Sequence, residues 1–201
     1  MLFRSFFNDS HQAHAPVFEF FRGERVPCFE TPARAEYVKT RLMERGHTLR
    51  MPQTDSRAVL PKVHASRYLA FLEHAWRDWL ALEAGNEQRQ PFPSVWPVRT
   101  LRSDIEPVNF IARLGLYSMD NGSPLAAGTW AAAKAGADAA ASAAALLAGG
   151  QSGERGVFCC SRPPGHHAGP DFMGGYSFLK DRKSTRLNSS HIQKSRMPSS
   201  A

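Results

Sequence analysis

Only three cysteines occur in the 201 residues, Cys28, Cys159 and Cys160. The count is odd, and sequence neighbours such as Cys159 and Cys160 close a disulfide only with strain. The thiols are therefore read as free, in a reducing compartment. Long apolar runs are missing as well. The opening MLFRSFFNDSHQ holds no apolar stretch long enough for a secretory signal. The most membrane-like stretch, Ala131–Ala148, is built of alanine and interrupted by Lys134 and Asp138, whereas a spanning helix needs about 20 strongly apolar residues. The expectation is a cytoplasmic protein without a membrane partner.

A charge excess of one sign is also lacking over most of the chain. The formal net charge is +7, but residues 181–201 hold Arg182, Lys183, Arg186, Lys194 and Arg196 against Asp181 alone. The remainder has 20 basic and 17 acidic residues, so its composition gives no reason to expect a grip on nucleic-acid phosphates. A hydrophobic fraction of 42% and a charged fraction of 21% exclude global disorder and fibrous repeats. The length suits one domain with a real core.

What is present is helical periodicity followed by a Gly- and Pro-rich segment. Residues 31–46 read as a helix, with Thr31 as cap, Pro32 in the first turn and Gly46 at the end. A second helix is predicted from near His64, with Tyr68, Leu72, Ala75, Trp76 and Trp79 as an apolar stripe that packs a core. A third runs from Thr129, read as its cap, to Leu147, and its alanines allow close packing; Gly149-Gly150 stops it. Between them, residues 88–109 form a long proline-rich stretch, either a surface connector or a functional loop. Gly156-Val-Phe-Cys-Cys160 is a short continuous apolar run. It reads as a strand buried on both faces, hence a parallel sheet covered by helices. It feeds SRPPGHHAGPDFMGGYSF, a loop at the carboxyl end of a buried strand, where α/β folds place active sites. The adjacent His166 and His167 can divide labour there, one imidazole taking a proton from water and the other steadying negative charge.

The string Arg162-Pro-Pro-Gly-His-His-Ala168, with Gly174-Gly-Tyr176 after it, resembles the signature of the histone deacetylase superfamily. Upstream blocks resemble its acetylpolyamine amidohydrolase branch: Val26–Tyr37, Val63–Trp76, Pro97-Val-Arg99 with Asp104-Ile-Glu106, and Ala127-Gly-Thr-Trp130. The resemblance covers about residues 1–179. It implies the arginase/deacetylase α/β fold, a parallel sheet with helices on both faces, of which residues 1–180 would be the amino-terminal part. It implies zinc-dependent hydrolysis of an N-acetyl amide, with a small acetylated amine as substrate and a homodimer as assembly. By motif position His166 would be the electrostatic catalyst and His167 the general base. Gly175 would offer its carbonyl to the substrate amide, and Tyr176 would form one wall of a narrow channel. Glu106, in a long loop resembling a dimerisation element, would read the distal ammonium of a polyamine, and Asp120 would add a second acid. Phe29 resembles an aromatic placed near the partner's active site across the dimer.

The family continues past Phe178-Leu179 into a DxDxHH motif and a later Asp that supply its zinc ligands, and a late Tyr. None of these is in this chain. His166, His167 and Asp171 do not replace them, so no metal ligands are assigned. Asp181–His191 instead resembles the in-frame translation of a short-read sequencing adapter. The expectation is a chain that departs from its family within codon 180, residues 181–201 forming a non-native, disordered tail, and that is inactive as it stands. The rival readings are a protein acetyl-lysine deacetylase and a non-catalytic protein whose basic, Ser-rich tail binds nucleic acid.

Overall fold

The computed structural model describes residues 4–98, 104–149 and 156–180. Arg99 and the tail 181–201, which carry two of the readings above, lie outside the described residues.

Three short strands run parallel, in the order β4 (Leu49–Arg50), β1 (Arg4–Phe7), β5 (Val157–Cys160). In register, Phe6 faces Cys159 and Phe7 faces Cys160 across the β1–β5 pair. Successive strand residues point to opposite faces, and here that alternation makes the layers. Phe6 packs with Ala139 and Ala143 of helix α4 (Thr129–Ala148), joined by Val157 and Cys159. Phe7 packs with Cys160 and with Ala35 and Leu42 of helix α1 (Ala33–Glu44). The sheet thus has a helix on each face, as the arginase/deacetylase resemblance implies. The small side chains of α4 let it lie close to the strands.

The apolar run predicts a strand buried on both faces, whereas three of the four residues of β5 are half-buried or exposed. Among the described residues no strand pairs with its outer side, and Phe158 is 39% exposed. The continuous apolar run marks a strand built to be covered, and among the described residues β1 is the strand that pairs with it.

The largest core lies beyond the sheet. Tyr68, Phe71, Leu72 and Ala75 of α2 (Ser66–Leu80) meet Phe110 and Leu114 of α3 (Phe110–Leu116), and Met173, Phe178 and Leu179 from the segment after β5 join them. The irregular segment is therefore rooted in the core at one end and in the sheet at the other. A separate antiparallel ribbon, β2 (Phe18–Phe21) and β3 (Glu24–Pro27), turns through Arg22 and Gly23, both at positive φ. That is the turn whose twist suits a two-residue hairpin.

Two expected caps are replaced. Pro32 and Gly128 hold the N-cap positions of α1 and α4, neither with a side-chain cap. The Thr129 hydroxyl instead accepts from the Ala126 N–H at 2.8 Å and bonds His14 Nδ1 at 2.9 Å. None of the three cysteines is in a disulfide, and no helix among the described residues is long and apolar enough to cross a membrane.

Candidate active site

At the carboxyl end of β5 the chain enters a loop that is irregular but held at many points. The anchor is Arg162, 3% exposed. Its guanidinium donates to the carbonyls of His11 and Glu30, at 2.7 and 3.0 Å, and to that of His14; it also pairs with the Glu30 carboxylate at 2.7 Å. A planar fork of donors suits that crowd of acceptors where an ammonium would not. Burial pushes the Glu30 carboxyl up from its ordinary range, and the Arg162 charge pulls it back.

Further along, His64 closes the loop. Its Nε2 accepts from the Lys180 N–H at 3.0 Å, so its proton sits on Nδ1, which donates to the Pro170 carbonyl at 3.2 Å. Burial holds this imidazole below its usual pKa, hence neutral. Tyr68 donates to the Phe178 carbonyl at 2.6 Å. These contacts fix backbone that otherwise carries no regular ladder.

On this frame His166 and His167 stand side by side, both exposed, ring centroids 4.1 Å apart. The His167 N–H donates to Ser177 Oγ at 3.3 Å. Its ring lies against Gly175, which sits at φ +52, and a Cβ there would come within 2.6 Å of His167 Cδ2. Only glycine permits both the backbone angle and the approach. Gly175 in turn donates its N–H to Asp120 Oδ2 at 2.8 Å, while Asp120 Oδ1 accepts from the Gly122 N–H at 2.9 Å.

A cavity of about 540 Å³ opens beside this pair, lined among others by Phe29, Glu30, Arg34, Cys160, Arg162 and Tyr176. His166, His167 and Gly175 line it too, so five of the seven residues singled out from the sequence meet here. Phe29, expected near a partner's site, lies at its own chain's cavity, with its ring on Phe21 at 5.6 Å. Glu106 does not line the cavity. Its carboxylate lies 4.0 Å from the Arg113 guanidinium of α3, and with burial it helps hold the Tyr117 phenol protonated. Asp120, expected as a second polyamine-reading acid, is committed to two backbone N–H groups and holds the Gly175 turn instead.

The donors at the cavity do not fit a zinc set of three protein ligands. Glu30 is committed to Arg162, and burial raises the Cys160 thiol and keeps it protonated. Among the described residues the one grouping with ligand spacing is Asp9, His11 and Glu36. There Lys39 Nζ, 2.9 Å from Asp9 and 3.6 Å from Glu36, already supplies the positive charge.

A histidine pair on a Gly-Pro loop at the end of a parallel strand, beside a cavity, coincides with a wider match: the histone deacetylase domain profile aligns with residues 28–183. The chain belongs to the histone deacetylase family. Within that family it is similar to acetylpolyamine amidohydrolase 2 of Pseudomonas aeruginosa, 40% identical over 176 residues, covering 87% of this chain and 49% of the relative. It is 34% identical over 179 residues to the acetylpolyamine amidohydrolase of Mycoplana ramosa, covering 89% and 50%. The crystal structure of an acetylpolyamine aminohydrolase from Burkholderia pseudomallei superposes with a TM-score of 0.80 at 25% identity, over 92% of this chain and 52% of that one. The chain spans about half the length of the histone deacetylase family relatives it matches.

Proposed function

We propose that residues 1–180 are the amino-terminal half of an amide hydrolase that removes acetyl groups from acetylpolyamines or similar small N-acetylated amines. Water adds to the acetyl carbonyl, the C–N bond breaks, and acetate and a free amine leave. The observation that carries the reading is the His166–His167 pair, rings 4.1 Å apart, opening on the cavity at the end of β5.

His167 takes the proton from the attacking water and later returns one to the departing nitrogen. The neighbouring imidazole of His166 steadies the negative charge that develops on the way. Gly175 presents its carbonyl to the substrate N–H, and Tyr176 and Phe29 confine a methylene chain between aromatic surfaces. Glu106, from the proline-rich loop, reads the distal ammonium in a homodimer. Zinc belongs to the reading through the family, and no described residue of this chain is assigned to hold it. The 201-residue chain by itself is accordingly inactive.

The test is to read the source genomic DNA across codon 180, express the protein it encodes in full, and measure acetate release. An N-acetylated diamine is expected to be turned over with higher kcat/KM than an acetyl-lysine peptide. Equal or reversed preference would favour a protein deacetylase, and no release from either would refute the reading.

A further inference from the structure

We infer that Glu19 is a positioning residue for the substrate channel, whose carboxylate locks the Tyr176 wall and the Phe29 rim into one unit and so sets the channel's preference for thin aliphatic amines. The inference rests on the amide-hydrolase reading of the cavity.

Glu19 lies in β2, opposite Val26 of the ribbon, and is 2% exposed. A carboxylate that far from water needs hydrogen-bond donors, and three converge on it. The Tyr176 hydroxyl donates to Oε1 at 2.6 Å, a length typical of a charge-assisted O–H···O bond. The Phe29 N–H donates to Oε2 at 3.1 Å and the Cys28 thiol to the same oxygen at 3.3 Å. Burial and the Glu19 contact push that thiol up to about 12, so it remains a donor. Two of the three partners, Tyr176 and Phe29, line the cavity.

Tyr176 needs such a hold. Its backbone sits at φ +63, a region that side-chain-bearing residues seldom occupy. Its N–H is tied to Ser123 Oγ at 2.8 Å and its hydroxyl to Glu19. Phe29 is 54% exposed, so packing alone fixes its ring only on the Phe21 side. The bond between this ribbon acid and Tyr176 thus spans 157 positions in sequence. A channel wall tethered at its tip keeps its width, whereas a free phenol would swing and admit broader chains.

The experiment uses the full-length enzyme and four variants: Glu19→Ala, Glu19→Gln, Tyr176→Phe and the double Glu19→Ala/Tyr176→Phe. Each is assayed on an N-acetylated diamine and on an acetyl-lysine peptide. Glu19→Ala and Tyr176→Phe are each expected to reduce the diamine-to-peptide ratio of kcat/KM fivefold or more, mainly through the KM of the diamine. Glu19→Gln, which keeps one acceptor oxygen, retains part of the ratio. The double variant should resemble the singles, because all remove the same bond. An unchanged ratio in an active Tyr176→Phe enzyme, or losses that multiply in the double, would overturn the inference. If Glu19→Ala does not fold, Tyr176→Phe decides alone, by the same ratio. A wild-type enzyme inert on both substrates would overturn the functional reading and this inference with it.

Discussion

Replacing Gly175 by alanine in the full-length enzyme adds one methyl group with two separable costs. The first is conformational. At φ +52 an L-residue with a Cβ costs about 1–2 kcal/mol. The second is steric and falls on the proposed general base. The new Cβ would lie 2.6 Å from Cδ2 and 2.9 Å from Cγ of His167, where carbon pairs settle near 3.5–4.0 Å. Either the ring retreats by about 1 Å, or the turn moves and gives up the bond from the Gly175 N–H to Asp120. A displacement of about 1 Å in a catalytic group can cost roughly a hundredfold. Steady-state kinetics on an N-acetylated diamine should therefore show kcat down by about a hundredfold with a smaller change in KM. Gly23→Ala is the control, because Gly23 also has a positive φ, +86, but nothing lies within 4 Å of its added Cβ. It should lose stability and keep kcat. A Gly175→Ala enzyme within threefold of wild type would show that the Gly175–His167 contact does not set the base.

His167→Ala should be more damaging than His166→Ala, with a loss of about 10²–10⁴-fold in kcat/KM for the base; equal losses measured on the same substrate would leave the division of labour unsupported. Glu106→Ala should cost about ten- to a hundredfold in kcat/KM for a diamine, the worth of a charge-assisted contact of about 1.5–3 kcal/mol, while leaving an acetyl-lysine peptide unaffected; an unchanged ratio removes Glu106 from the site. His14 is held at about 3, against an ordinary 6.5, by burial and the Arg162 charge. A base with a depressed folded pKa contributes stability that is complete above pH 6.5 and is lost as pH falls toward 3, at about 1.4 kcal/mol per pH unit. Urea unfolding at several pH values should show a shallower acid decline in His14→Asn than in wild type, and parallel profiles would contradict this.

The helices α1, α2 and α4 were legible because each sustains an apolar spacing for at least three turns. β5 was legible as an apolar run ahead of a Gly-Pro loop. β1 and β4 were not, since four and two residues are too few for any periodicity to emerge. The seven-residue α3 was hidden behind the proline-rich stretch, although its cap, Asn109 accepting from the Ala112 N–H, was a readable signal. Thr31 and Thr129 looked like caps by type, but tertiary contacts drew the Thr129 hydroxyl to His14. At the site, the resemblance to the family signature pointed to His166, His167, Gly175 and Tyr176, and all four line one cavity. Nothing in spacing could locate Glu19 or the true partner of Asp120, because both bonds join segments more than fifty residues apart. The strand at residues 156–160 is less covered than its apolar run predicts for a related reason: a strand's composition records the neighbours it is built for, and among the described residues β5 pairs with β1 alone.

The central claim is that this segment carries the histidine pair of an amide hydrolase that works only in the full-length protein. The direct measurement is acetate release from an N-acetylated diamine by two purified proteins, the 201-residue chain and the full-length product of the source gene, with and without a metal chelator. The full-length protein should turn the substrate over and lose that activity to the chelator, while the 201-residue chain releases none. Chelator-sensitive turnover by the 201-residue chain alone, or a full-length protein inert on every N-acetylated amine, would contradict the account.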